Sequence, residues 1–403
     1  MSERGGGGAG RRGVRLAELM PWSVAPWRPG RTWPLAAEPE TLRRRWRALA
    51  EAEGERREAL FGPTRARTTR SSVAPLPGRV TPTGRLARAP GPCPEPVRVL
   101  DGPFDTRWLL PDHRLLDTAR PELWRAHGPA SRYLLEPGPG GPALLATALL
   151  PTGRNPHGRA RPVRPLHRDP DAADPNLAPG LVPYLAGELG QAVEAEDVFA
   201  WIVCAAVPGP GGCEIPLPAR PEEWEAGVAW GRAVLGLLAP LDGGRPRLPG
   251  GRRPYVRAPL APAAGAGGQE PYPVAYDRES ESLLVGGGRI APVPREAWEF
   301  TCAGVRVLAD WVARRTAVGA AGTLEGLAPR EWPQERTREL LELITVLALL
   351  GEAEAGRPPA AGPVLGEAEL RAAGVLPVPA AARRPGPALA VREEGPEGQS
   401  ALW

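Results

Sequence analysis

Apolar positions along the chain follow two periods. Leu42, Trp46, Leu49 and Ala50 recur at spacings of three and four, predicting a helix over about 39–60 with Pro39 in its first turn. Its opposite face would carry Arg43, Arg44, Arg45 and Arg47. Over 97–150 the pattern changes to short apolar runs, and 131–136 and 142–150 flank Pro-Gly-Pro-Gly-Gly as a hairpin would. Helices are expected at 194–206 and 221–238. The first is apolar on most sides (Val198, Phe199, Trp201, Ile202) and so central. A second hairpin is expected at 282–285 and 289–292, then a strand at 297–302 and helices at 304–315 and 333–351.

These elements predict an α+β fold: curved, mostly antiparallel sheets bracketed by helices, a helical C-terminal lobe and disordered termini. The expected divisions are a disordered arm at 1–15, a main part at 16–245, a Pro/Gly-rich connection at 246–280, a hairpin with helices at 281–351, and a mostly disordered tail at 352–403. A further connection without regular structure beyond short strands is expected at 62–96.

Composition sharpens this picture. Of 403 residues, 42% are hydrophobic and 24% charged, as in folded globular proteins. Proline (53) and glycine (50) make up about a quarter of the chain, which predicts long irregular connections. All 50 basic residues are arginine; there is no lysine, a bias typical of GC-rich bacterial genomes. Its absence excludes a Walker-type phosphate loop, a pyridoxal Schiff base, a Ser-x-x-Lys acyl-enzyme and a kinase strand lysine.

Other candidate chemistry is thin. Cys93, Cys204, Cys213 and Cys302 form no C-x-x-C, and the four histidines lack metal-ligand spacing, so no metal is expected and the cysteines read as free thiols of a reducing cytoplasm. No apolar signal core follows Arg4, Arg11 and Arg12, and the longest apolar runs are too short for a bilayer, so no membrane is expected. Gly138-Pro139-Gly140-Gly141-Pro142-Ala143 fits G-x-G-x-x-A in letters alone. Its prolines remove two backbone donors and a strand follows, so it is a turn and no cofactor is expected. No Gly-x-Ser-x-Gly occurs among the eight serines. Asp174-Pro175-Asn176 fails the Asn/Asp-Pro-Pro-aromatic pattern that base-flipping adenine methylation requires.

Charge is unevenly placed. Net charge is +4, but residues 1–100 hold 19 arginines against nine acids. No acid lies between Glu58 and Glu95, a stretch containing Arg65, Arg67, Arg70, Arg79, Arg85 and Arg88. Such a run fits a phosphate-backbone contact as well as it fits a solvated loop. Thirteen tryptophans are many. Trp46, Trp201, Trp224, Trp230 and Trp311 fall on helix faces and read as core. Trp22, Trp27 and Trp33, beside Arg28 and Arg31, could stack on bases, but a Trp-anchored loop is the preferred reading. In Phe104-Asp105-Thr106-Arg107-Trp108, Arg107 could contact DNA. The favoured alternative buries Phe104 and Trp108 and lets Asp105 hold Arg107.

Several segments, in order, resemble one family. They are Pro29-Gly30-Arg31-Thr32-Trp33-Pro34 with Leu42-Arg43-Arg44-Arg45-Trp46, then Pro103-Phe104-Asp105-Thr106-Arg107-Trp108, then Arg120-Pro121-Glu122-Leu123-Trp124. Next come Asn176-Leu177-Ala178-Pro179-Gly180, Ala195-Glu196-Asp197-Val198-Phe199-Ala200, and Gly288-Arg289-Ile290 ahead of Val293-Pro294. The last are Gly304-Val305-Arg306-Val307-Leu308 leading to Trp311, and Trp332-Pro333 ahead of Leu340-Leu341. Across residues 16–350 the chain resembles the C-terminal specificity (target-recognition) region of type ISP restriction-modification enzymes.

The resemblance implies a stand-alone reader of duplex DNA without the nuclease, translocase and N6-adenine methyltransferase parts of such enzymes, hence no catalysis by the chain alone. The residues that would meet phosphate are Arg43, Arg44, Arg65, Arg67, Arg70, Arg79 and Arg85. The family-motif residues with a structural role are Trp33, Phe104, Asp105, Arg107, Trp108, Trp124, Trp311 and Trp332. Two alternatives stand beside it: a protein-interaction scaffold on a recognition fold that no longer touches DNA, and a specificity subunit completed by a separate methyltransferase or restriction subunit.

Overall fold

In the computed structural model, the structure describes residues 13–79, 84–155, 161–238, 247–263, 272–317, 319–329, 331–359 and 361–385. The architecture is α+β, built from small, mostly antiparallel sheets bracketed by helices. In the N-terminal half, Thr106–Leu109 pairs antiparallel with both Leu35–Ala36 and Val97–Leu100, and Leu150–Pro151 joins the latter in parallel. The expected hairpin closes with Tyr133–Leu135 against Leu145–Thr147, and Arg164–Pro165 completes that sheet. Val99, Leu109, Leu116, Leu123, Tyr133 and Trp27 pack together beneath these sheets.

Ala195–Ala205 is central, as its all-round apolarity requires, with Val198, Phe199, Ala200, Trp201 and Ile202 buried. It packs on Pro221–Leu238 through stacked Trp201 and Trp224 rings 5.5 Å apart, and Trp201 Nε1 donates to Pro216 O at 2.9 Å. The C-terminal lobe sets the sheet of Tyr255–Ala258, Gly288–Ala291, Ser282–Val285 and Val274–Asp277 against Val307–Thr316 and Gln334–Ala355. Leu283, Ile290, Val293, Leu308, Trp311, Leu340 and Ile344 form its core.

Five expectations change. The 39–60 helix is two helices, Pro39–Glu51 and Gly54–Phe61, because Glu53 is extended and Arg57 turns back to donate to Ala50 O and Ala52 O, capping the first. Over 297–302 a short helix, Arg295–Glu299, precedes a two-residue strand, since Ala297 buries as part of one helical turn. The 246–280 connection contains Tyr255–Ala258 and Val274–Asp277, the two outer strands of the C-terminal sheet. Order begins before residue 16: Val14–Arg15 pairs with Glu214–Ile215.

The largest change is beyond 351. The last long helix runs to Ala355, Val364–Leu365 pairs with Leu217–Pro218, and Glu367–Ala372 is helical. Leu365, Leu370, Val375 and Leu376 enter the same core as Leu16, Leu19 and Leu185. A few spaced apolar residues suffice to dock this segment, and its Ala/Pro/Gly/Glu background concealed them. Most of the expected arm (1–12) and the end of the expected tail (386–403) lie outside the described residues.

Candidate nucleic-acid interface

The described residues of the acid-free loop after Phe61 (62–79 and 84–94) include no helix or strand, and arginines donating to their carbonyls tie them down. Arg114, buried and paired with Asp112 at 2.6 Å, donates to Gly84 O and Pro90 O at 2.9 and 3.0 Å. Arg57 reaches Leu86 O and Ala87 O. Arg31 donates to Gly62 O, Leu115 O, Thr64 and Asp117 while lying over the Phe61 ring. Leu76 and Leu86 anchor the loop as buried side chains. A guanidinium has five fixed donors, so one side chain can satisfy several backbone acceptors that a strandless loop leaves open.

That arrangement sorts the candidate arginines. Arg44, Arg65, Arg70 and Arg85 are exposed, and Arg79 is half-buried. Arg43 is shared between Glu40 at 2.6 Å and Glu95 at 2.9 Å. Arg67 is buried, its guanidinium against Ala66 O and His113 Nε2, so it does not present its charge to solvent. Arg45, expected on the polar face with Arg43, Arg44 and Arg47, is buried. It donates to Trp33 O at 3.0 Å and Leu35 O at 2.8 Å, and burial lowers its pKa to about 10. The helix period explains this: Arg45 lies three residues after Leu42 and four before Leu49, on the core face.

Trp22, Trp27 and Trp33 are all buried, Trp33 donating to Phe61 O and Trp27 packing on Trp124, so none offers a ring to a base. Trp124 also donates to Ala119 O, and Trp332 to Thr337 Oγ1. Phe104 stands edge-on to Phe300 at 5.6 Å, and Trp108 lies half-buried under Arg98. Asp105 accepts from Arg107 Nε at 3.0 Å and from Arg315 Nη1, and Arg315 covers the Trp311 ring at 4.0 Å. Arg107 is thus turned inward, toward Asp105 and Arg314 O. Burial alone would push the Asp105 carboxyl up, but Arg107 and Arg315 hold it below the ordinary carboxylate range.

Beside the loop lies a cleft of about 510 Å³ lined by Arg28, Arg31, Arg154 and Arg314 with Asp101, Thr32, Thr152 and Asn155. Two glycines permit its walls. Gly30 (φ +74°) has the Asp117 carboxylate where a Cβ would sit, and Gly153 (φ +65°) lies against the Pro26 ring. Of these arginines, Arg28 and Arg31 stand out in the sequence beside tryptophans, whereas nothing in the sequence marks Arg154 or Arg314. No pattern connects residues so far apart in the chain.

Among the described residues no group of His, Cys, Asp and Glu could hold a metal ion, and no helix is long and apolar enough to cross a membrane. All four cysteines are free; burial pushes Cys93 up to about 11 and Cys213 and Cys302 up to about 12, far from a thiolate nucleophile.

Comparison with known proteins accords with this architecture. No curated protein matches the sequence significantly. The fold is similar to that in the cryo-electron microscopy structure of a DrdV–DNA complex (TM-score 0.57, 16% identity, covering 83% of this chain and 35% of that one). It is also similar to the ATP-dependent Type ISP restriction-modification enzyme LlaBIII bound to DNA (TM-score 0.56, 12% identity, covering 86% of this chain and 24% of that one). This chain therefore spans about a third or less of those larger chains. Residues 18–207 and 211–343 match the family model of the Type ISP C-terminal specificity domain, which takes in both sheets of the N-terminal half, the central helix pair and the C-terminal lobe as far as the middle of its last long helix, and so the chain belongs to that family.

Proposed function

We propose that this chain is a DNA target-recognition module that docks on duplex DNA through its arginine-rich loop and the adjoining cleft, with any catalysis supplied by separate parts. Membership of the specificity-domain family carries the reading. Supporting it, the two neighbours are DNA complexes, and Arg65, Arg70 and Arg85 keep exposed guanidinium groups in the acid-free stretch, with Arg44 exposed on the helix before it. Phosphate contacts of this kind set affinity and register, while sequence is read by groups meeting base edges.

Anisotropy titrations of a labelled random duplex at two salt concentrations test the proposal. Four phosphate contacts would give a log-affinity against log-salt slope of about −3 to −4. A flat response would favour the scaffold reading, which draws on the net charge of only +4 and the neutralisation of Arg43 by Glu40 and Glu95. Under the proposal the purified chain transfers no labelled methyl group to DNA. Incorporation above background without a partner would refute that part. A separate methyltransferase or restriction subunit is the partner this reading calls for.

A further inference from the structure

We propose that the cleft between the Trp27–Thr32 segment, the Thr152–Asn155 turn and Arg314 is a binding site for a backbone phosphate of duplex DNA. This deepens the target-recognition reading and rests on it. The cleft is rich in donors and poor in acceptors. Arg28 is exposed at its mouth. The Arg154 side chain is 54% exposed and has one acidic contact, Asp101 at 3.3 Å.

Two further donors are already desolvated there. Arg314 Nε donates to Asp310 at 2.7 Å, but its buried Nη1 makes no hydrogen bond; the nearest carboxylate oxygen, on Asp105, is 3.9 Å away. Trp27, which also lines the cleft, has a buried indole N–H without an acceptor. Packing thus leaves two donors of cleft-lining residues without acceptors, a local excess of positive polarity that an anion seated in the cleft would offset.

The remaining groups set the sign of that ligand. Arg31 is fully engaged with Gly62, Thr64, Leu115 and Asp117, and contributes charge rather than free donors. Thr32 Oγ1 is turned to Glu325. Asp101 is the acid among the lining residues. Burial pushes its carboxyl above the ordinary range, with Arg107 and Arg154 pulling the other way. With Arg31 held by Asp117, Arg314 by Asp310 and Arg154 touching Asp101, the excess positive charge rests on exposed Arg28 and half-exposed Arg154; it favours an acceptor-only anion, and a phosphodiester is the anion a duplex offers. Position supports the same choice: Arg31 and Asp117 both hold Thr64, so the cleft adjoins the start of the arginine-rich loop, and one strand could follow both.

The test compares wild type with R28A/R154A on two duplexes of unrelated sequence, each titrated by anisotropy over a salt series. The double variant should bind both duplexes more weakly and flatten the log–log salt slope by about 1, the unit for the one phosphate that is no longer neutralised. R28A alone should weaken both duplexes alike and flatten the slope in the same direction by at most about 1, and keeps the test available if the double variant fails to fold. Wild-type binding with an unaltered slope in the variants overturns the cleft site and leaves the DNA reading intact. Weakening confined to one duplex also overturns it, since that outcome marks base readout. If wild type binds neither duplex, the target-recognition reading falls and this site falls with it.

Discussion

Replacing Asp105 by Asn should be among the most damaging single changes in the molecule. Its carboxylate is buried and receives Arg107 Nε at 3.0 Å and Arg315 Nη1, while Arg315 itself is fully buried. Arg315 also donates to Thr106 O at 2.7 Å and to Glu339 at 3.0 Å, so this knot ties the Thr106–Leu109 strand to both long helices of the C-terminal lobe. Removing one partner of a buried pair costs about 3–5 kcal/mol, because the other charge is left uncompensated. Here Glu339 still faces Arg315 and Asp101 still lies 3.7 Å from Arg107. These residual interactions place the expected loss at the lower end, about 3 kcal/mol.

Urea denaturation of D105N, R315M and the double variant measures it. The double variant should be more stable than the sum of the single losses predicts, with a coupling energy of about 1.5–3 kcal/mol. Additivity within about 0.5 kcal/mol, or a D105N loss below about 1 kcal/mol, would show that the knot does not hold the two halves together.

Three further outcomes are expected. Asn176 is buried, accepting from Trp22 N at 2.9 Å and donating to Trp22 O and Pro165 O at 2.8 Å each, so N176A should lose about 3 kcal/mol in urea denaturation. R65A/R70A should flatten the salt slope of DNA binding by about 2 without moving the melting temperature, whereas R67A should lower the melting temperature and barely change the slope. His127 and His167 are both held below the ordinary histidine value of 6.5, chiefly by burial, with Arg79 adding to the effect at His127 and Glu196 and Asp169 opposing it at His167. The folded state therefore binds fewer protons than the unfolded chain just below pH 6.5, and stability should fall as pH drops from 7 toward 5. H127Q/H167Q should flatten that part of a stability–pH curve, and an unchanged curve would refute the assignment.

Local pattern by itself determined much of this protein. Turn glycines and prolines between apolar runs placed the two hairpins, and the all-round apolarity of 194–206 placed the central helix. The ordered segments from Pro29 to Trp332 were enough to indicate the specificity-domain family. Those signals are short-range, or are letters preserved in sequence order. What stayed hidden depended on residues that meet only after folding. Arg45 and Arg67 read as surface charge in an arginine-rich stretch, yet carbonyls from Trp33, Leu35 and Ala66 and the ring of His113 draw them inside. The segment after Gly356 read as tail until Leu217 and Pro218 supplied its strand partner. The cleft joins side chains from residues 27, 154 and 314, a juxtaposition no periodicity encodes. A guanidinium is always charged, but whether it faces a phosphate or a carbonyl is decided by which acceptors packing brings within about 3 Å, and only the tertiary structure decides that.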